Sequence, residues 1–277
     1  MPILHAIVLG AVQGLTEFFP VSSSGHLLLV PWLFGWNDFA GDASLEKAFD
    51  VALHIGTLVA MVAYFRHDLI RYIRDGLAAV FQRSKPLTTD GKLAWLFVLT
   101  SIPAAIAGAA GEKFFDEQLG KPWIIAISLI VFGVLLGVAD RRRGDRTLTD
   151  YSMRDALTIG AAQIISLNPG TSRSGITITA GRFLGLSRDA AARASFLMAI
   201  PVTFGAVAFK LLKLAKDGIP DGMGTPMIVG VITAGITGWF AVWGTIRLVR
   251  TRSFDIFVIY RVLLGLTVLG LLASSFR

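Results

Sequence analysis

Six runs of this chain, 48–65, 93–111, 122–139, 190–212, 226–249 and 254–275, come close to the length of mostly apolar sequence that a helix needs to cross a bilayer, about 20 residues. This limits the fold more than any other feature, because inside lipid every backbone N–H and C=O must be bonded within the protein, and runs of this length achieve that as α-helices. Composition agrees: 54% of the residues are hydrophobic, 16% are charged and the mean hydropathy is +0.65, outside the usual range of a soluble domain. An all-α polytopic membrane protein is expected, met by membrane lipid on its outer faces. The net charge of +7 does not imply a nucleic-acid partner, since the basic residues sit in short clusters between apolar runs and no basic, aromatic-interleaved soluble segment is present. With no cysteine, disulfides and thiolate chemistry are excluded. The first ten residues carry no Lys or Arg, so no signal peptide is expected.

Basic residues orient the spans. Loop 66–92 carries Arg66, Arg71, Arg74, Arg83, Lys85 and Lys92, and loop 140–155 carries Arg141, Arg142, Arg143, Arg146 and Arg154. Loop 112–121 instead sets Lys113 and Lys121 against Glu112, Asp116 and Glu117, and 213–225 balances Lys213 and Lys216 with Asp217 and Asp221. By the positive-inside rule the first two loops, and Arg247, Arg250 and Arg252, face the cytoplasm, leaving both termini outside. Trp32, Trp36, Trp95 and Trp123 lie near span ends as interface anchors.

Two further apolar pairs, 3–19 with 26–36 and 156–167 with 175–186, are mostly too short to cross and are broken by Pro, Gly and Ser. They read as re-entrant helix–loop–helix hairpins. At an offset of 150 residues "LGAVQG" lies over "IGAAQI", matching Gly10 to Gly160, Ala11 to Ala161 and Gln13 to Gln163; Ser22, Ser24 and Gly25 then fall on Ser172, Ser174 and Gly175. A single membrane domain of two repeats follows, 1–139 with its hairpin at 3–36 and 156–275 with its hairpin at 156–186. Each hairpin is followed by three spans. Because three is odd, the second half enters from the opposite face, and such an inverted repeat brings the two tips together near the midplane.

The tips carry the polar residues. Gln13 and Glu17, four apart, share a helix face. At each tip a Ser- and Gly-rich turn precedes a helix whose N-terminal N–H groups and dipole suit an anion. Arg173 adds a planar fork for phosphate oxygens, and Ser172, Ser174 and Thr177 add hydroxyls. His26, beside Ser22, Ser23 and Ser24, supplies an imidazole near hydroxyls and a carboxylate, the set that activates a nucleophile or a water. Glu17 is the candidate ligand for Mg²⁺ beside a diphosphate. A phosphoryl hydrolase acting at membrane depth is the reading.

The segment "QGLTEFFPVSSSGH" with Gln13 and Glu17, and the run Pro169 to Thr177, "PGTSRSGIT", resemble the two signatures of the bacterial undecaprenyl-diphosphate phosphatases, also called bacitracin-resistance proteins. The resemblance covers the whole chain. It implies an inner-membrane enzyme that hydrolyses undecaprenyl diphosphate to undecaprenyl phosphate, recycling the lipid carrier of peptidoglycan synthesis. It also implies a divalent cation, Mg²⁺ or Ca²⁺, and a site facing the periplasm. By position it makes Glu17, Ser23, His26 and Arg173 the catalytic set, with Gln13, Ser22, Ser24, Gly170, Ser172, Ser174 and Thr177 around the substrate. Gln13 stands where many members carry Glu, which argues against a mechanism needing two carboxylates here. Whether Ser23 or His26 attacks phosphorus stays open, as does assembly into a homodimer.

Blander readings apply elsewhere. His54, in mid-span, reads as a histidine that packs or bonds to a neighbour, and the Arg141–Arg143 run as a topology determinant. The alternative function is a transporter or flippase of a prenyl phosphate, since inverted repeats with broken helices are a transporter architecture. Another class of lipid phosphatase also uses a "SSGH"-like element but needs a second His after a Ser-Arg, and "SGITITAGR" after Ser172-Arg173 offers none.

Overall fold

The computed structural model describes residues 1–39, 41–82, 86–217, 222–274 and 276, with the backbone alone at 43, 112–117, 210–211 and 213–217. Arg83, Lys85 and Asp221 lie outside the described residues, and of the charged side chains expected on the opposite face Glu112, Lys113, Asp116, Glu117, Lys213, Lys216 and Asp217 are likewise outside. Among the described residues there are eleven α-helices and no strand.

In chain order they are α1 (Ile3–Phe18), α2 (Ser23–Phe34), α3 (Ala43–Tyr64), α4 (Arg66–Phe81), α5 (Thr89–Leu119), α6 (Pro122–Asp140), α7 (Met153–Ile165), α8 (Arg173–Phe183), α9 (Arg188–Asp217), α10 (Gly224–Val249) and α11 (Asp255–Ala273). Six of these, α3, α5, α6, α9, α10 and α11, are long and apolar enough to cross a membrane, and each overlaps one of the expected spans, with α3 ending one residue before 48–65 does and α11 lying inside 254–275. The fold fits a multi-pass membrane protein. Helix starts lie upstream of some apolar runs because polar caps extend them. Asp42 accepts from the N–H groups of Ser44 and Leu45 at 2.9 and 3.0 Å, and Thr88 Oγ1 from Gly91 at 3.0 Å.

The expected loop 66–92 is in its first part a helix, α4. Its apolar Ile70, Ile73, Leu77 and Phe81 recur at helical spacing along an exposed face, a stripe instead of a continuous apolar run. The short helices α1, α2, α7 and α8 have 16, 12, 13 and 11 residues, too few to cross singly.

Packing is crossed between the halves of the chain. Helix α1 lies along α10, and α7 along α5, while α3 meets α9 and α6 meets α11. Glycines permit the closest approaches: a Cβ on Gly10 would stand 2.6 Å from Gly230 O, and one on Gly160 would stand 2.9 Å from Thr100 O. The residues matched by sequence offset thus do the same work at two different helix contacts.

Candidate active site

The site forms where the turn between α1 and α2 meets the turn between α7 and α8. Each turn ends in a serine with positive φ, Ser22 at 79° and Ser172 at 73°, a conformation that costs a non-glycine residue roughly 1–3 kcal/mol. Each serine caps the following helix: Ser22 Oγ accepts from Gly25 N–H at 3.3 Å and Ser172 Oγ from Gly175 N–H at 3.0 Å. The turns are also tied to each other. Ser22 Oγ accepts from Gly170 N–H at 3.0 Å, and Ser174 Oγ donates to Phe19 O at 3.3 Å.

Arg261 of α11, fully buried, locks this junction. Its guanidinium donates to Pro20 O, Gly170 O and Thr171 O, each at 2.9 Å, and to Leu129 O and Ser128 O of α6 at 3.1 and 3.4 Å. A buried guanidinium is tolerated when its donors are so matched. Sequence reasoning missed this residue, although an arginine inside an apolar span was itself a signal.

The two turns bring Glu17, Ser23, Arg173 and Gln13 together. Ser23 and Arg173 are the first residues of α2 and α8, equivalent positions 150 residues apart. Ser23 Oγ donates to Glu17 Oε2 at 2.6 Å, Gln13 Nε2 to the same oxygen at 3.2 Å, and Arg173 Nη2 to Glu17 Oε1 at 2.5 Å. Glu17 and Gln13 are buried. Among the described residues, Arg173 Nη1 and Gln13 Oε1 are buried without a hydrogen-bond partner. A donor and an acceptor are therefore left unmatched, and an unmatched buried polar atom costs about 1–3 kcal/mol.

The other expected residues are arranged differently. His26 is buried beside the junction, with Nδ1 bonded to Ser22 O and Nε2 to Tyr260 Oη, both at 2.7 Å. A carbonyl can only accept, so the neutral ring is protonated on Nδ1 and Tyr260 donates to Nε2. Both nitrogens of His26 are engaged away from Ser23. Ser24 is exposed, 3.4 Å from Ser22 Oγ. Thr177 turns into the protein, donating to Arg173 O at 2.8 Å and pairing with Ser195 Oγ at 2.7 Å.

His54 of α3 is nearer the carboxylate than a packing histidine needs to be. Its Nδ1 donates to Asp50 O at 2.7 Å, and Nε2 stands 3.8 Å from Glu17 Oε2. Spacing along the chain could not have revealed this, because α3 reaches Glu17 only through the fold.

Among the described residues no group of three His, Cys, Asp or Glu side chains could hold a metal. Glu17 and the unpartnered Gln13 Oε1 supply oxygen atoms of the kind Mg²⁺ or Ca²⁺ accepts, and phosphate oxygens would have to complete the shell.

This is a helical protein whose six long apolar helices fit a multi-pass membrane protein, with a buried carboxylate, a half-buried hydroxyl and a half-buried guanidinium gathered at two helix N-termini, groups that suit an anion such as phosphate. A model of the family described as bacitracin resistance protein BacA matches residues 6–267, and the chain belongs to that family. It is similar to proteins named undecaprenyl-diphosphatase. The one from Trichlorobacter lovleyi is 45% identical over 274 residues, 98% of each chain. That of Pelobacter propionicus is 44% identical over 279 residues, 99% of each chain. That of Geobacter sulfurreducens is 44% identical over 274 residues, 98% of this chain and 99% of the relative. These names do not favour the transporter alternative.

Proposed function

We propose that the chain hydrolyses undecaprenyl diphosphate to undecaprenyl phosphate and inorganic phosphate, returning the lipid carrier to peptidoglycan synthesis and giving bacitracin resistance. The observation that carries this reading is the contact of Ser23 and Arg173 with the two oxygens of Glu17, with Arg173 Nη1 left unmatched. The diphosphate lies between the two turns while the prenyl tail stays in lipid. Arg173 binds the terminal phosphate through Nη1, and the N-termini of α2 and α8 add their dipoles.

Ser23 is the better nucleophile of the two candidates, because its hydroxyl already donates to a carboxylate whereas both nitrogens of His26 are occupied. Glu17 orients that hydroxyl and receives its proton as the bond from Ser23 Oγ to the terminal phosphorus forms and the bond from that phosphorus to the bridging oxygen breaks, with His54 alongside; undecaprenyl phosphate leaves, and a water then hydrolyses the phosphoserine to return the serine and release inorganic phosphate. His26 and Tyr260 hold the first turn in shape. Glu17 and Gln13 Oε1 are the residues that would hold a divalent cation, Mg²⁺ or Ca²⁺, which would neutralise phosphate charge.

The same reading includes an inverted repeat of re-entrant hairpins. The matched serine turns and the crossed packing of α1 on α10 and α7 on α5 support it. Three spans per half then put the hairpins on opposite faces, and a site open to the periplasm is part of the reading on the strength of the family resemblance.

Phosphate release from undecaprenyl diphosphate by the purified protein in detergent, with and without Mg²⁺, tests the function. Release by the parent and its loss in Glu17→Ala and Ser23→Ala is expected. No release from a folded parent that still binds the lipid rejects the hydrolase.

A further inference from the structure

The Arg141–Arg143 run has a structural setting that orientation in the membrane does not require. Where α6 ends at Asp140 and α10 ends at Val249, a cavity of about 680 Å³ opens. Arg141, Arg142, Arg143, Arg182, Arg188 and Arg250 line it against three acidic side chains, Asp140, Asp145 and Asp189, a formal excess of three positive charges. Positive residues scattered along a loop satisfy the positive-inside rule; converging them on one cavity is costly unless something negative sits there.

The basin is built on a buried frame. Asp140, buried, accepts from Arg188 Nε at 2.6 Å and Nη2 at 3.0 Å, and from Phe254 N–H at 3.0 Å. Arg182, also buried, donates to Leu186 O at 2.6 Å and to the carbonyls of Asp140 and Arg142. Its Nε has no hydrogen-bond partner among the described residues, and Asp140 Oδ1 lies 3.5 Å away. Asp189 is taken up by Arg250 at 2.8 Å and Arg193 at 3.0 Å. Arg142 lies over the Phe183 ring, 5.1 Å from its centroid. Arg141 and Arg143 are exposed and have no acidic partner among the described residues.

The frame therefore fixes the wall while two planar forks remain free, the arrangement that binds phosphate oxygens bidentately. Two membrane-length helices end at the basin, so it sits at headgroup depth, where basic pockets between spans take anionic lipid headgroups. We propose that this basin is a second phosphate-binding site, separate from the junction of the turns, which takes the headgroup phosphate of an anionic phospholipid.

Native mass spectrometry of the full-length protein in detergent tests it with three probes: dioctanoyl-phosphatidylglycerol, dioctanoyl-phosphatidylcholine and inorganic phosphate. Saturable binding of the glycerol lipid over the choline lipid is expected in the parent. In the double variant Arg141→Gln, Arg143→Gln that binding should weaken about thirtyfold, with phosphate release from undecaprenyl diphosphate unchanged. Competition by inorganic phosphate for the lipid in the parent supports recognition through the headgroup phosphate, whereas binding of inorganic phosphate without saturable binding of the glycerol lipid overturns the headgroup assignment in favour of the free ion. Equal binding of both lipids, or unchanged binding by the variant, overturns the proposal. Arg143→Gln alone repeats the comparison should the double variant not fold.

Discussion

Arg173 holds Glu17 with one nitrogen and leaves the other unmatched. A lysine would keep the charge and lose the fork, so Arg173→Lys should lower kcat by about 10²-fold or more; turnover within a few fold of the parent contradicts the bidentate role. Ser23 and His26 separate in the same assay. Ser23→Ala should abolish release, whereas His26→Ala should lower it together with the melting temperature, because the bond to Ser22 O that shapes the turn is lost. Equal loss in both variants with unchanged melting would instead restore His26 as the attacking group. The motif residues around Glu17 were legible because an ionisable side chain inside an apolar segment stands out in a sequence. Tyr260 and His54 were not: a tyrosine near a span end and a histidine in mid-span acquire meaning only from partners at 2.7 Å and 3.8 Å contributed by other helices.

At the scale of the element, the helix contacts rest on backbone proximity. A side chain on Gly10 would run into the Gly230 carbonyl, so Gly10→Val should destabilise the protein by about 1–3 kcal/mol, and an unchanged thermal unfolding midpoint in detergent would contradict the close packing of α1 on α10. Helix α7 offers a pH test. Burial alone would raise the Asp155 carboxyl, but Arg146, bonded through two nitrogens at 2.6 and 3.0 Å, and Ser152 outweigh it and hold the group below its ordinary value. A depressed folded value means that the contribution is complete above the unfolded carboxyl's pKa of about 3.9 and is lost as pH falls below it. Acid should therefore lower the parent's midpoint more steeply than that of Asp155→Asn; parallel pH profiles would remove Asp155 from the acid response. The six spans could be read from length and hydropathy, yet α4 was missed because its apolar residues form a stripe instead of a run.

At the scale of the whole molecule, a proposed cation with only Glu17 and Gln13 Oε1 from the protein would depend on the substrate for its remaining ligands. Chelation should stop phosphate release and added Mg²⁺ restore it, while full activity after exhaustive chelation would take the cation out of the scheme. The local matches were legible from the 150-residue offset, since Gly10 with Gly160 and Ser22 with Ser172 meet the same local demands twice. How the halves interlock was not, because the crossing of α1 onto α10 leaves no trace in spacing along the chain.

Arg261 also bears on the timing of synthesis. The ribosome makes α11 after every residue of both turns, and until that helix arrives the carbonyls of Pro20, Gly170 and Thr171 lack the donor that holds them. A nascent chain can thus have both turns already made while the donor that ties them together is still to come, so the junction is completed only after α11 is synthesised.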